Sequence, residues 1–115
     1  MARDLLAGAQ TYFEAFSRHD LKGLGAMFSD KVTLTDWDIV KHGKDAVLDA
    51  NKSIFDSFPL IKIRFERAYI SGRSVASEIV IHLDSSTSFG VVDVLDFDDD
   101  GLIVSVRAYK GHAVI

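Results

Sequence analysis

The stretch SFGVVDVLDFDDDGLIVSVRAYK, residues 88–110, contains two alternating runs around a turn. Phe89, Val91, Asp93, Leu95 and Phe97 share one parity of the first run. Leu102, Val104, Val106, Ala108 and Lys110 share one parity of the second. Side chains alternate between the faces of a strand, so each run predicts a strand with one apolar face, over 88–97 and 102–110. Asp98-Asp99-Asp100-Gly101 supplies the turn chemistry of a hairpin. Working back, residues 60–70, with Ile61, Ile63 and Phe65 on one face, and residues 74–84 predict two more strands joined at Ser71-Gly72.

Before residue 60 the period changes. Leu5, Leu6, Ala9, Tyr12, Phe13 and Phe16 form one helical stripe over 4–18. His19-Asp20 ends it, and Asp20 caps a second short helix running to Phe28, weakened by Gly23 and Gly25. Val32-Thr33-Leu34-Thr35-Asp36 alternates as a strand. Residues 43–58 carry a third stripe, Val47, Ala50, Asn51, Ile54, Phe55 and Phe58, which Pro59 terminates. Three helices in the N-terminal half followed by hairpin-linked strands predict an α+β fold. The helices pack on one face of a strongly curved, mostly antiparallel sheet that closes over them as a cone.

Composition narrows the function. The chain has 115 residues, 48% of them hydrophobic, which suits one domain over 1–115 with a core of its own. It has no cysteine, so thiolate metal sites, disulfides and cysteine chemistry are excluded. Seventeen acidic and 13 basic residues give a net charge of −4 and no basic stripe, so no nucleic-acid partner is expected. No apolar run exceeds three residues, so no membrane span is expected. Met1-Ala2-Arg3-Asp4 lacks the apolar core of a leader, and a cytoplasmic location is expected.

The informative residues are polar ones on apolar faces, because burying them is unfavourable unless they are satisfied or used. Asp36 shares a strand face with Val32 and Leu34, and Asp93 sits in the middle of an apolar run. Tyr12 and Asn51 lie on helical stripes, and Lys110 ends the last strand's apolar parity. Each has a plain structural reading as well. Tyr12 suits a core tyrosine, Asn51 a cap on a buried loop, Asp36 a turn residue before Trp37-Asp38, and Lys110 a strand-end cation reaching water. Asp93 is hardest to explain so, because desolvation raises the pKa of a carboxyl buried in mid-strand. Two carboxylates in unlike surroundings, with a phenol facing the same core, form an acid/base set.

These residues carry a resemblance. The chain resembles the nuclear transport factor 2-like superfamily, with its cystatin-like fold, and within it the ketosteroid isomerases and SnoaL-like proteins. The similarity runs from Gln10-Thr11-Tyr12 through Asp20-Leu21-Lys22-Gly23-Leu24, Val32–Asp36 and Gly43-Lys44-Asp45-Ala46-Val47 to Val92-Asp93 and Gly101–Ala108. It implies that Tyr12 is the oxyanion-hole tyrosine, Asp36 the aspartate that moves the proton, and Asp93 the protonated second donor. The intervals, 24 residues from Tyr12 to Asp36 and eight from Asp93 to Gly101, fit the family without gaps. It further implies a substrate cavity walled by Phe16, Phe28, Trp37, Phe55, Val106 and Ala108, and a homodimer formed through the sheet, whose outer face is expected to be partly apolar.

Asn51, Glu78, His82 and Lys110 stand where the steroid enzymes carry aromatic residues, which makes the expected cavity more polar. A substrate smaller and more polar than a steroid is expected, with an acidic substituent paired to Lys110. Lys110 is also expected to lower the pKa of Asp93. The reaction expected is proton transfer next to a carbonyl. The alternatives are a cyclase or dehydratase step, a ligand-binding protein without catalysis, and an adaptor using the open sheet. No cofactor or metal is expected. The Asp96–Gly101 segment has half of a calcium-loop pattern, but Arg107 stands at its twelfth position. His19, His42, His82 and His112 lack ligand spacing, and no Gly-rich phosphate loop or G-x-S-x-G element occurs.

Overall fold

The computed structural model describes residues 4–114. Residues 1–3, whose sequence was read as that of a chain without a leader, lie outside the described residues. Helix α1 spans Leu5–Ser17, and the side chain of Asp4 caps it by accepting from Ala7 N at 3.0 Å. Helix α2, Leu21–Met27, is capped in the same way by Asp20, which accepts from Gly23 N at 2.9 Å. Its two glycines weaken a helix of seven residues, so the cap and the burial of Leu24 hold it. Strand β1, Phe28–Thr35, follows without a loop. Helix α3, Lys44–Ser57, starts after Gly43, whose φ of 91° suits glycine, and ends two residues before Pro59.

The remaining strands are β2 (Val40–His42), β3 (Lys62–Ser71), β4 (Ser74–His82), β5 (Ser88–Phe97) and β6 (Ile103–Ala113). They form one six-stranded sheet in the order β2-β1-β6-β5-β4-β3. Every pairing is antiparallel except β1 with β6, which is parallel. Irregularities in β1–β6, β3–β4 and β5–β6 pairing bend the sheet around the helices. Its inner face and the helix stripes share one core, including Ala9, Phe13, Leu24, Val47, Val75 and Leu95.

Three details depart from the sequence pattern. β2 was not expected; its three residues are exposed, so no burial pattern marks them. In β6, Ile103 and Val106 are buried, whereas Leu102 and Val104 are only partly so. The register shift beside Asp96–Phe97 switches the parity there, and the alternation expected from Leu102 holds only from Val106 onward. In β4 the inward residues are Val75, Ser77 and Ile79, which oppose the inward Leu95, Asp93 and Val91 of β5. Glu78 and His82 therefore face the outer side. Glu78 accepts from the Tyr69 hydroxyl at 2.6 Å, and His82 Nδ1 lies 2.7 Å from Ser88 Oγ.

The outer face mixes apolar and charged groups. Tyr69, Val92 and Tyr109 are exposed on it, and Arg107 pairs with Asp96 at 3.1 Å. Among the described residues, no helix is long and apolar enough to cross a membrane.

Candidate active site

One end of the cone stays open inside. A cavity of about 330 Å³ lies between α1, α3 and the inner face of the sheet, which is near the small end for ligand sites. Its wall is apolar apart from a few polar side chains, and these come from separate elements.

Tyr12 reaches the cavity from α1. Its ring is held by Phe13 edge-on at 5.3 Å, Phe16 at 6.5 Å and Phe28 at 6.1 Å. Asp93 reaches it from the centre of β5, flanked across the strands by Ser77 and Ala108. Asn51 comes from the buried stripe of α3 and is 2% exposed. Neither the Tyr12 hydroxyl, the Asp93 carboxyl nor the Asn51 amide hydrogen-bonds to any described residue, although all three residues are buried. Buried polar groups are normally paired within the protein, so three without a partner among the described residues, around a single void, stand out from the core. The Ser77 hydroxyl, fully buried opposite Asp93, also has no partner.

Asp36 is placed by a turn. Its Oδ1 accepts from Asp38 N at 2.7 Å and Ile39 N at 2.9 Å, and its own N donates to Ile39 O at 3.0 Å. This Asx turn closes β1 onto β2 and holds the carboxylate at the cavity wall. Oδ2 takes no hydrogen bond from the described residues. Asp36 is thus both the turn residue and a cavity residue.

Burial pushes the Asp93 carboxyl up to about 7, and the charge of Asp36 adds to the rise. Burial, and then the charge of Asp93, hold the Tyr12 hydroxyl well above its ordinary range. The expected lowering of Asp93 by Lys110 is overturned. Lys110 lies one inward row away at the mouth, opposite Val91, and Asp93 is dominated by desolvation. The site therefore offers a phenol held well above its ordinary range, a carboxyl that burial pushes up to about 7, and the turn-held side chain of Asp36.

Trp37, Phe16, Val106, Ala108 and Lys110 line the cavity with these groups. Four residues expected in the wall are elsewhere. Phe28 is buried behind it against Tyr12, and Phe55 meets Phe16 edge to face at 4.9 Å and stacks on His19 at 4.4 Å. Glu78 and His82 are on the outer face, because β4 has the opposite parity. Ile79 and Ile81 take their places, and Asp38, Ile54 and Phe89 also line the cavity unforeseen. The signal for Ile79 was Asp93 itself, since pairing β4 to a strand whose inward residues are known fixes its parity. Among the described residues, no group of three or more His, Asp or Glu could hold a metal ion.

Known proteins share this architecture. A protein from Kribbella flavida proposed to be a ketosteroid isomerase matches with a TM-score of 0.82 at 19% identity, over 96% of this chain and 80% of that one. An LEH-like epoxide hydrolase from M. tuberculosis matches with a TM-score of 0.78 at 17% identity, over 93% and 82%. A protein of unknown function with a cystatin-like fold from Xanthomonas campestris matches with a TM-score of 0.83 at 20% identity, over 96% and 92%. Identities this low establish the cystatin-like α+β fold and leave the chemistry to the site. No curated protein matches the chain. The model of the SnoaL-like domain matches residues 9–106, which run from within α1 to within β6, and the chain belongs to the SnoaL-like family.

Proposed function

We propose that the cavity catalyses proton transfer next to the carbonyl group of a small molecule. The observation that supports this most is the presence of Tyr12, Asp36 and Asp93 in one cavity wall, the first and last without protein partners. Asp36 Oδ2 removes a proton from the carbon beside the carbonyl. The C–H electron pair forms the enolate double bond, and the carbonyl π pair moves onto oxygen. Tyr12 and protonated Asp93 donate hydrogen bonds to that oxygen, and Asp36 returns the proton at another carbon. Donors already aimed at the developing charge contribute about 3–4 kcal/mol each in the transition state. Asn51 orients the substrate through its free amide. A cavity of about 330 Å³ favours a substrate smaller than a steroid. A second copy would cover the outer sheet face at Tyr69, Val92 and Tyr109; sedimentation equilibrium showing a monomer at all concentrations would exclude it.

The test is a spectroscopic titration with 4-nitrophenol, whose phenolate mimics an enolate. Binding as phenolate, lost in Tyr12→Phe and in Asp93→Ala, supports the reading. Binding only as the neutral phenol would overturn it and leave a ligand-binding protein in its place.

A further inference from the structure

The mouth of the cavity has a polarity of its own. Lys110 follows Ala108 by two residues on β6, so its side chain leaves the inner face one row away from the Asp93–Ala108 pair. Two strand residues cover about 7 Å. The row beyond carries Phe89, and Lys110 Nζ stands 4.9 Å from the centre of that ring and 5.8 Å from the centre of Trp37. The two rings meet edge to face at 6.0 Å. They position the ammonium and attract it, but they do not neutralise it.

Lys110 is the one cation among the residues lining the cavity. Among the described residues, no carboxylate lies within 4.0 Å of its Nζ. The acids that share the wall are occupied or placed otherwise. Asp36 Oδ1 is held by its own turn, Asp38 is exposed beyond it, and Asp93 is one row deeper.

We propose that Lys110 binds a carboxylate on the substrate, so that the substrate class is a small keto or enone acid. The carbonyl lies between Tyr12 and Asp93, and the carboxylate lies about one ring's length away at the mouth. This rests on the proton-transfer reading for which end of the ligand points inward. An ion pair at a part-exposed mouth is worth about fivefold in affinity.

The test compares 4-hydroxy-3-nitrobenzoate with 4-hydroxy-3-nitrobenzamide, which differ at one substituent, a carboxylate or a neutral carboxamide opposite the phenol. The wild-type protein should bind the acid about fivefold more tightly, and added salt should narrow the gap. Lys110→Gln should weaken the acid alone, making the two equal, and Lys110→Arg should restore the preference. Lys110 is exposed, so neither change touches the core. Equal binding by the wild type, or a preference that survives Lys110→Gln, overturns the proposal. The absorbance separates the two readings. Acid preference without phenolate formation keeps the anion site and overturns the oxyanion hole; phenolate formation without acid preference does the reverse. Failure of both probes to bind overturns both.

Discussion

Asp36 and Asp93 line the same cavity on opposite terms: Asp36 Oδ1 accepts two backbone N–H groups, and the Asp93 carboxyl accepts none. The difference follows from their places in the chain. Asp36 stands just past the end of β1, where a turn brings backbone donors to it. Asp93 stands in mid-strand, where the ladder has used the backbone donors on both sides. One fold thereby gives one acid backbone donors and makes the other costly to ionise, the unlike surroundings that acid/base catalysis uses.

The rate should fall on the alkaline side with an apparent pKa near 7. Asp93 donates only while protonated, and burial and then Asp36 raise its pKa to about 7. Above that value activity drops about tenfold per pH unit. Asp93→Asn leaves a donor that does not titrate, so the alkaline limb should vanish. A kcat/KM profile with the same limb in the variant would show that another group is responsible.

Stability should follow the same group. The folded pKa of Asp93 lies above its unfolded value, so between them the folded state binds more protons than the unfolded one. Unfolding free energy therefore falls as pH rises from about 4 to about 7, and then levels. Three pKa units correspond to a loss on the order of 4 kcal/mol. Urea midpoints across this range check it, and Asp93→Asn should remove this contribution to the slope.

Asp36→Asn separates the turn from the chemistry. The amide oxygen can still accept from Asp38 N and Ile39 N, so the melting temperature should stay near that of the wild type. Turnover should drop by about 10²–10⁴, the range for loss of a general base. Nitrophenolate should bind more tightly, because a repelling charge is gone. Asp36→Ala should lose the turn as well, costing about 1 kcal/mol in thermal or urea unfolding. Unchanged turnover in Asp36→Asn would remove Asp36 from the mechanism.

What could be read from sequence depended on whether parity was visible. In β5 the residues flanking Asp93 on its own face are Phe89, Val91, Leu95 and Phe97, and those between are smaller or polar, so the buried acid was legible. In β4, Ile79-Val80-Ile81 is apolar on both faces, and Val80 is 5% exposed on the outer side. Hydrophobicity alone could not orient that strand, and Glu78 and His82 were assigned inward in error. β2 was invisible because its three residues are exposed and carry no burial pattern; the Asx turn at Asp36 and pairing with β1 specify it. Tyr12 and Asn51 were legible as polar residues on apolar stripes, but only the assembled cavity distinguishes them from satisfied core residues.

Asn51 should trade stability for binding. Its Nδ2 is buried without a partner among the described residues, and such a group costs about 1–3 kcal/mol. Asn51→Leu keeps the branching and the number of side-chain heavy atoms, borders a cavity that can take its larger methyl groups, and removes the unpaired donor, so the urea midpoint should rise. The same change removes a donor from the cavity, so nitrophenolate affinity should fall by about fivefold to tenfold. A residue kept for folding would behave in the opposite way, with a lower midpoint and unchanged affinity. The two readouts move in opposite directions only if the amide is held ready for a ligand, and a drop in midpoint would assign Asn51 to the core.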